Sequence, residues 1–302
     1  MGTYLITQAT GKQARWTITH LLAAGARIHA VVRDLEKASA IPLLKSEGVT
    51  LFQGESVNLE EILQAAQGCQ GAFLNTFPIP GMETEQAKTI VEACKKAGIK
   101  TVVAATTFAT DKPELWDNEQ GDKVGLRDYY RSKKSIEDVV RDGNFEAYTI
   151  VRPGLIHIDY MTPHSVNNWG RLATHGIIDH AYDDGAKLPQ TDCSDIGRYA
   201  AAALLDPAKF GGQEITVVTE NLAIDEAASI VSKVSGRKVT TEKGEVTRFG
   251  QKFHLFANAT DFNDIVAAAR EEAVKLGMPF GSLEAALERD REWLLESLPA
   301  SA

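Results

Sequence analysis

The chain has 302 residues, 44% apolar and 24% charged, the balance of an ordinary soluble globular protein and enough to bury a core in one domain with a smaller lobe. A formal net charge of −9 argues against broad binding to nucleic acid, which depends on Lys and Arg neutralising phosphates. No apolar run approaches the roughly 18 residues of a membrane span, and Cys69, Cys94 and Cys193 are far apart without metal-ligand spacing, so buried thiols in a cytoplasmic protein are expected.

The chain opens on an apolar run, Tyr4–Ile6, followed by a small polar loop and a helical pattern over Gln13–Ala24. Further β-rich runs lie at Arg27–Val32, Val49–Phe52, Ala72–Leu74, Thr101–Ala105 and Ala147–Val151. Helical patterns alternate with them at Leu35–Glu47, Leu59–Gln67, Thr84–Ala97 and Gly125–Asp142. Gly25, Gly48, Gly98 and Gly143 follow these helices as C-terminal caps do. Alternation with nearly all-apolar strands predicts an α/β fold, a Rossmann-type doubly wound parallel sheet covered on both faces.

After Arg152-Pro153-Gly154 the rhythm changes. Leu155–Pro189 is irregular and polar and holds four of the seven histidines. A helix is expected over Asp195–Leu205, a strand over Gln213–Val218, and a helix over Asp225–Ser235. The tail Asp261–Leu298 reads as helical, broken near Gly277–Gly281. Phe249, Phe253 and Phe256 have the spacing of a packing stripe. Residues 1–154 are therefore expected to form the sheet-based domain. Residues 155–302 should form mainly a smaller substrate-binding lobe, with segments returning to the first domain. The default ligand site lies at the carboxyl ends of the strands, between the two.

The loop after the first strand has the layout of a phosphate-binding turn, in which helix N–H groups and the helix dipole face an anion. The full fingerprint has three glycines; in Gln8-Ala9-Thr10-Gly11-Lys12-Gln13-Ala14 only Gly11 remains. Ala14 is a mild change, whereas Gln8 puts a Cβ and a long side chain where the turn must be tight. Thr7, Thr10, Gly11, Lys12 and Gln13 are the candidate phosphate contacts. The second strand ends in Val32-Arg33-Asp34, where a dinucleotide domain places the group that reads the adenosine ribose. Arg33, with Lys37 a turn later, suits a 2′-phosphate and so NADP(H). Asn75 and Thr76, after the fourth strand, are expected near the pyrophosphate and ribose.

Tyr129 and Lys133 have the Tyr-x-x-x-Lys spacing that puts both side chains on one helix face, one turn apart. The ammonium favours phenolate and can hold a nicotinamide ribose, and the phenol can donate a proton to a carbonyl that receives hydride. Thr106 and Thr107, at the end of the fifth strand, are the candidate hydroxyls to hold that carbonyl. A second register, Tyr130 with Lys134, has the same spacing. For the substrate pocket the candidates are Trp116, His157, Asp159, Tyr160 and His164, with Asn167, Asn168 and Trp169 nearby. A metal site is not expected, because His157, Asp159 and His164 lack strict ligand spacing.

Ala9-Thr10-Gly11-Lys12-Gln13, Val31-Val32-Arg33-Asp34, Phe52-Gln53-Gly54, Ala72-Phe73-Leu74-Asn75-Thr76, Ser132-Lys133-Lys134-Ser135-Ile136-Glu137, Tyr148–Gly154 and Asp195-Ile196-Gly197-Arg198 occur in this order. In this the chain resembles the NmrA-like family, a branch of atypical short-chain dehydrogenases/reductases. The resemblance implies a Rossmann domain with NADP(H) preference. It implies one of three roles: reductase of small carbonyl or quinone compounds, biosynthetic enzyme, or redox-sensing regulator. Gly11 and Arg33 match the family's cofactor positions, and Lys133 falls at the superfamily's lysine. Tyr129 fits the catalytic tyrosine of the wider superfamily, which favours an enzyme. Gln8, Ala14 and the Thr106-Thr107 pair depart from the family pattern. An NADP(H)-dependent oxidoreductase acting on a small molecule is therefore expected, with no nucleic acid or membrane partner and with oligomers compatible. The alternatives are a non-redox isomerase, dehydratase or cyclase on the same scaffold, and an NADP(H)-sensing regulator.

Overall fold

The computed structural model describes residues 2–79 and 81–300. Strands β1 (Thr3–Ile6), β2 (Arg27–Val32), β3 (Val49–Gln53), β4 (Gly71–Leu74), β5 (Thr101–Ala105) and β6 (Ala147–Pro153) form one sheet with the strand Gln213–Val217. The order across it is β3-β2-β1-β4-β5-β6 and then Gln213–Val217. Every pairing among β1–β6 is parallel. This is the doubly wound Rossmann order, whose direction of winding reverses between β1 and β4. β4 and β5 are buried along their whole length, which is why they read as continuous apolar runs rather than alternating ones.

Helices α1 (Lys12–Ala23), α2 (Leu35–Ser39), α3 (Leu59–Ala66) and α4 (Met82–Lys96) connect the first five strands. The single helix expected over Leu35–Glu47 does not form. α2 stops at Ser39, and a 3₁₀ turn occupies Pro42–Lys45. Pro42 has no N–H to continue a helix and pushes Ile41 into extended backbone, φ −94° and ψ 111°. The helix expected from Gly125 begins later, at Arg127, and runs to Arg141. Gly125, at φ +70°, instead ends the preceding short helix Glu119–Val124 in the left-handed conformation.

The chain divides into two compact units. The first takes in Met1–Asp111, Asp128–Arg152 and Ser194–Thr216 and contains the large sheet. Apolar side chains of β1, β4, β5, α3, α4 and the helix Arg127–Arg141 form a core there that includes Cys69 and Cys94. Both thiols are free, and burial pushes each up to about 12. The helix Cys193–Leu205 lies directly on α1: a Cβ on Gly197 would fall 2.5 Å from Trp16, so only glycine fits that crossing. Glu137, buried, accepts from Arg152 Nε at 2.9 Å and from Arg141 Nη2 at 2.8 Å, and Arg141 Nε also donates to Glu214 at 2.7 Å. These pairs tie the helix Arg127–Arg141 to β6 and to the strand Gln213–Val217.

The second unit takes in Lys112–Arg127, Pro153–Cys193 and Val217–Ala302. It holds a three-stranded sheet, Glu220–Ala223, Lys187–Thr191 and Leu155–Ile156, and a parallel pair, Ile177–His180 with Thr240–Lys243. Gly154 passes so close to the Pro189 carbonyl that a Cβ would lie 2.5 Å from it. Helices follow at Ile224–Ser235, Asn263–Lys275, Leu283–Arg289 and Arg291–Ser297, with Gly277 at φ +70° ending the second. The rings of Tyr160, Trp169, His254 and Tyr182 stack in sequence, 5.2, 5.4 and 4.1 Å between centroids. Phe256 is buried against Phe262, but Phe249 is half exposed, so the expected phenylalanine stripe is packed only at its far end. Among the described residues, no helix is long and apolar enough to cross a membrane.

Candidate functional site

The loop between β1 and α1 is shaped by two residues. The Gly11 N–H donates to the Gln8 carbonyl at 2.8 Å, and a Cβ on Gly11 would lie 3.1 Å from that oxygen. Gln8 sits at φ +51°, in the left-handed region where a glycine is at ease and a Cβ costs roughly 1 kcal/mol. Its side chain leaves the turn and donates from Nε2 to Ser56 Oγ at 3.1 Å. α1 starts behind Gly11 with no side-chain cap and no acidic residue in its first turn. Its first N–H groups and the positive end of its dipole therefore face the loop, with no acid of the helix's own first turn against them. Thr7 is fully buried. Its hydroxyl lies 3.1 Å from the carbonyls of Phe73 and Asn75 and accepts the Asn75 N–H at 3.0 Å, which pins the end of β1 to the end of β4.

Beside this loop is a cavity of about 400 Å³ lined by Gln8, Thr10, Arg33, Asp34, Lys37 and Ser56 among others. Arg33 is exposed at the end of β2, its guanidinium 5.7 Å from the centre of the Phe77 ring. Asp34 caps α2 by accepting the Lys37 N–H at 3.0 Å, and that bond, with the Lys37 charge, lowers its carboxyl below the usual range. Lys37 Nζ lies 3.5 Å from the same carboxylate. Lys37 thus shares its charge with Asp34, whereas Arg33 forms no ion pair among the described residues. Lys12 and Gln13 occupy the first turn of α1, partly buried.

In the same unit, beyond the carboxyl end of β5, the helix Arg127–Arg141 carries Tyr129 and Lys133. Lys133 Nζ lies 5.5 Å from the centre of the Tyr129 ring, and Tyr130 meets that ring edge-on at 5.4 Å. Tyr129 is partly exposed, while Tyr130 is fully buried, and burial holds its phenol well above its ordinary value. That makes the Tyr129 register the one open to a ligand. Lys133 is buried and ion-paired with Glu83, from the first turn of α4. Glu83 is fully buried and also accepts from the Thr76 hydroxyl at 2.9 Å and the Ser132 hydroxyl at 3.0 Å. Thr76 therefore joins this cluster, while Asn75 stays partly exposed at the end of β4. Thr106 donates its hydroxyl to Glu137 at 2.8 Å and is thereby part of the Arg152 network. Thr107 is also buried, and its carbonyl accepts from the Thr110 hydroxyl at 2.7 Å.

The residues expected to line a substrate pocket fall in the second unit. His157 is fully buried; its Nδ1 accepts the Cys193 N–H at 3.0 Å, which assigns the ring proton to Nε2, facing Asp290 Oδ2 at 2.8 Å. Burial favours protonation of Asp290, but bonds from His157 and Arg289 outweigh it and hold this carboxyl at about 2. Arg289 also reaches Asp192 at 2.6 Å, so His157 serves a hydrogen-bonded joint between the turn at Asp192 and the C-terminal helices. Tyr160 donates to Gln190 at 3.2 Å and stacks on Trp169. Trp116 is buried, its carbonyl pressed against Gly121. His164 remains partly exposed, its ring 6.4 Å from that of Trp293. Asp159 differs from these: burial pushes it up to about 7, against hydrogen bonds from the Ile156 backbone and Asn168.

Sequence reasoning missed Ser56 and Glu83. Ser56 follows Phe52-Gln53-Gly54, one of the motifs at a strand end, so its position was readable. Glu83 lies in a charged first turn, Met82-Glu83-Thr84-Glu85, where nothing separates a buried acid from the ordinary dipole-matched acids of a helix start.

A model of the NmrA-like family matches residues 2–283. A UPF0659 protein of Saccharomyces cerevisiae is 39% identical over 225 residues, 72% of this chain and 92% of that protein. Quinone oxidoreductase 2 of Escherichia coli is 25% identical over 276 residues, covering 90% and 88%. Among solved structures, NmrA, a negative transcriptional regulator, in complex with NAD matches with a TM-score of 0.75 at 23% identity over 99% of this chain and 98% of that one. NmrA has also been solved with NADP, and as a double variant in which an asparagine and, six positions on, an alanine are replaced by glycine. With a family model spanning nearly all of the sequence and the Rossmann strand order in place, this chain belongs to the NmrA-like family.

Proposed function

We propose that this protein is an NADP(H)-dependent reductase of small carbonyl or quinone compounds. The observation that supports it most is the placement of Tyr129 and Lys133 on one face of the helix after β5, with the ammonium 5.5 Å from the ring centre. The same unit offers a cation-edged cavity beside an uncapped helix N-terminus. These residues fit a dinucleotide. The N–H groups of α1 would meet the pyrophosphate, and the Arg33 fork would meet a 2′-phosphate. Gln8 does not oppose this, because its backbone already takes the left-handed turn and its side chain is drawn off to Ser56. The two residues exchanged in the NmrA variant are six apart, as are Gln8 and Ala14, and NmrA itself has been solved with NAD and with NADP; this favours binding without those two glycines.

When bound, the cofactor supplies hydride. Tyr129 gives a proton to the substrate oxygen, and Lys133 stabilises the phenolate left behind and holds the nicotinamide ribose. Since the Thr106 hydroxyl is already donated to Glu137, Thr107 is the better candidate to orient that oxygen. NADPH oxidation followed by absorbance against a panel of quinones and aldehydes tests the reading. Tyr129→Phe is expected to cut turnover by about 10²-fold or more; full turnover in that variant removes the assignment.

One observation favours a second reading, a dinucleotide-responsive regulator. Thr106 and Lys133 are both held by buried carboxylates, as in a scaffold kept for its shape, and NmrA is described as a negative transcriptional regulator. Under that reading, dinucleotide binding survives Tyr129→Phe with Lys133→Ala, and no tested compound is reduced.

A further inference from the structure

We propose that Glu83 is a positioning residue for the tyrosine–lysine pair: it fixes Lys133 as a cation beside Tyr129 and offsets part of the field that this cation exerts on the phenol. The proposal rests on the reductase reading for its catalytic meaning, but its physical content stands apart from turnover.

Glu83 is fully buried in the first turn of α4, and each of its oxygens is used. Oε1 accepts from Lys133 Nζ and from Thr76, and Oε2 accepts from Ser132. A carboxylate that takes an ammonium and two hydroxyls is held from the segment after β4, from α4 and from the helix Arg127–Arg141 at once, so the position of Nζ is set by three parts of the unit rather than by the lysine's own flexible stem. The residue before Lys133, Ser132, adds a bond to the same carboxylate, which fixes the rotation of this helix face. Tyr129 is one turn earlier on that face.

The electrostatic consequence has a definite sign. Lys133 lies 5.5 Å from the Tyr129 ring centre and favours the phenolate. Glu83, bonded to that ammonium, carries the opposite charge and opposes it. Tyr130 is buried edge-on against the ring, and Asp128 and Arg131, its charged neighbours in sequence on the same helix, are exposed. Neither Asp128 nor Arg131 changes in the comparison below. Removing the Glu83 charge alone should ease ionisation of Tyr129. Removing Lys133 alone should leave an unbalanced anion and hinder it. Removing both should give an intermediate value.

The test is the phenolate absorbance of the full chain across pH, with the spectrum of the matching Tyr129→Phe protein subtracted each time. The expected order of Tyr129 midpoints, from low pH to high, is Glu83→Gln, wild type, Glu83→Gln with Lys133→Met, and Lys133→Met. The first should lie about 1 pH unit below wild type. Glu83→Asp, which restores the charge, should return the midpoint toward wild type. Equal midpoints for Glu83→Gln and wild type, together with equal midpoints for the double variant and Lys133→Met, would overturn the proposal. The double variant removes both partners of the buried pair and so keeps the test open if Glu83→Gln fails to fold. A protein that shows the order but neither binds nor oxidises NADPH keeps this pair and loses the reductase reading; a protein that turns over without the order does the reverse.

Discussion

Arg33 and Lys133 are both cations of the Rossmann unit, and they are held in opposite ways. Arg33 stands exposed at the end of β2 beside a cavity of about 400 Å³, with an aromatic face near it and no ion pair among the described residues. Lys133 keeps 8% of its side chain exposed and is fixed on Glu83, which keeps none. An exposed guanidinium has little to lose from the fold and a full charge to offer a ligand. A buried ammonium shares its charge with a neighbour that also fixes its position. Mutations of the two cations should therefore report on different quantities.

The sharpest way to break this contrast is to remove one partner of the buried pair. Lys133→Met leaves Glu83 as an uncompensated buried carboxylate, and about 3–5 kcal/mol of unfolding free energy should be lost. Urea unfolding measures it, and a loss under 1 kcal/mol would mean the pair is not closed as described. Arg33→Ala should cost the fold at most about 0.5 kcal/mol. It should weaken NADPH by about 1.5–3 kcal/mol, the worth of a charge-assisted contact, while sparing NADH. Fluorescence titration of both dinucleotides separates these outcomes, and equal weakening of the two would remove the 2′-phosphate role.

Two carboxyls of the second unit give opposite pH signatures. Asp290 is held at about 2 in the folded chain, below its unfolded value near 4, so its contribution is present above pH 4 and is lost as pH falls toward 2. Asp159 is raised to about 7, so folding favours its protonated form, and stability from this group declines as pH rises from about 4 through 7. Asp159→Asn should then stabilise the protein at pH 8 by about 2 kcal/mol, allowing for its partly exposed surface, and change little at pH 4. Chemical unfolding at the two pH values checks this; an equal effect at both would show that Asp159 is not carrying the shift. The smallest effect is expected at the loop. Gln8→Gly relieves a left-handed Cβ and should alter stability by no more than about 1 kcal/mol, with dinucleotide affinity equal or a few-fold tighter.

The elements that sequence revealed are those whose signal is local. The six Rossmann strands show as short apolar runs because a doubly covered parallel sheet asks for apolar residues on both faces. Gly11 and Arg33 show because their roles depend on position relative to a strand end. Tyr129 and Lys133 show because a helix turn joins them. What stayed hidden depends on partners far apart in the chain. Glu83 lies 50 residues from Lys133, and Thr106 lies 31 from Glu137. Neither partnership leaves a mark on the residues nearby. Several of the motif residues that carried the resemblance turn out to be packing solutions: Gly197 admits the α1 crossing, Gly154 admits the Pro189 carbonyl, and Arg152 closes an ion network. The short strands of the second unit, such as Glu220–Ala223, offer too few residues for a period of two to stand out. In the helix expected over Leu35–Glu47, the local rule was available, since Pro42 marks its own break.

The central claim is that the β1–α1 loop and the Arg33 edge bind a nicotinamide dinucleotide despite Gln8. Following the thermal midpoint of the full chain while NADPH, NADP⁺, NADH and NAD⁺ are titrated tests it most directly. At about 100 times Kd a ligand adds about 2.7 kcal/mol to the folded state, which corresponds to a rise of roughly 5 °C for a protein of this size. The account predicts such a rise with NADPH or NADP⁺, and a smaller one with NADH and NAD⁺. No shift with any of the four at millimolar concentration would contradict it and leave the scaffold without the cofactor on which both functional readings depend.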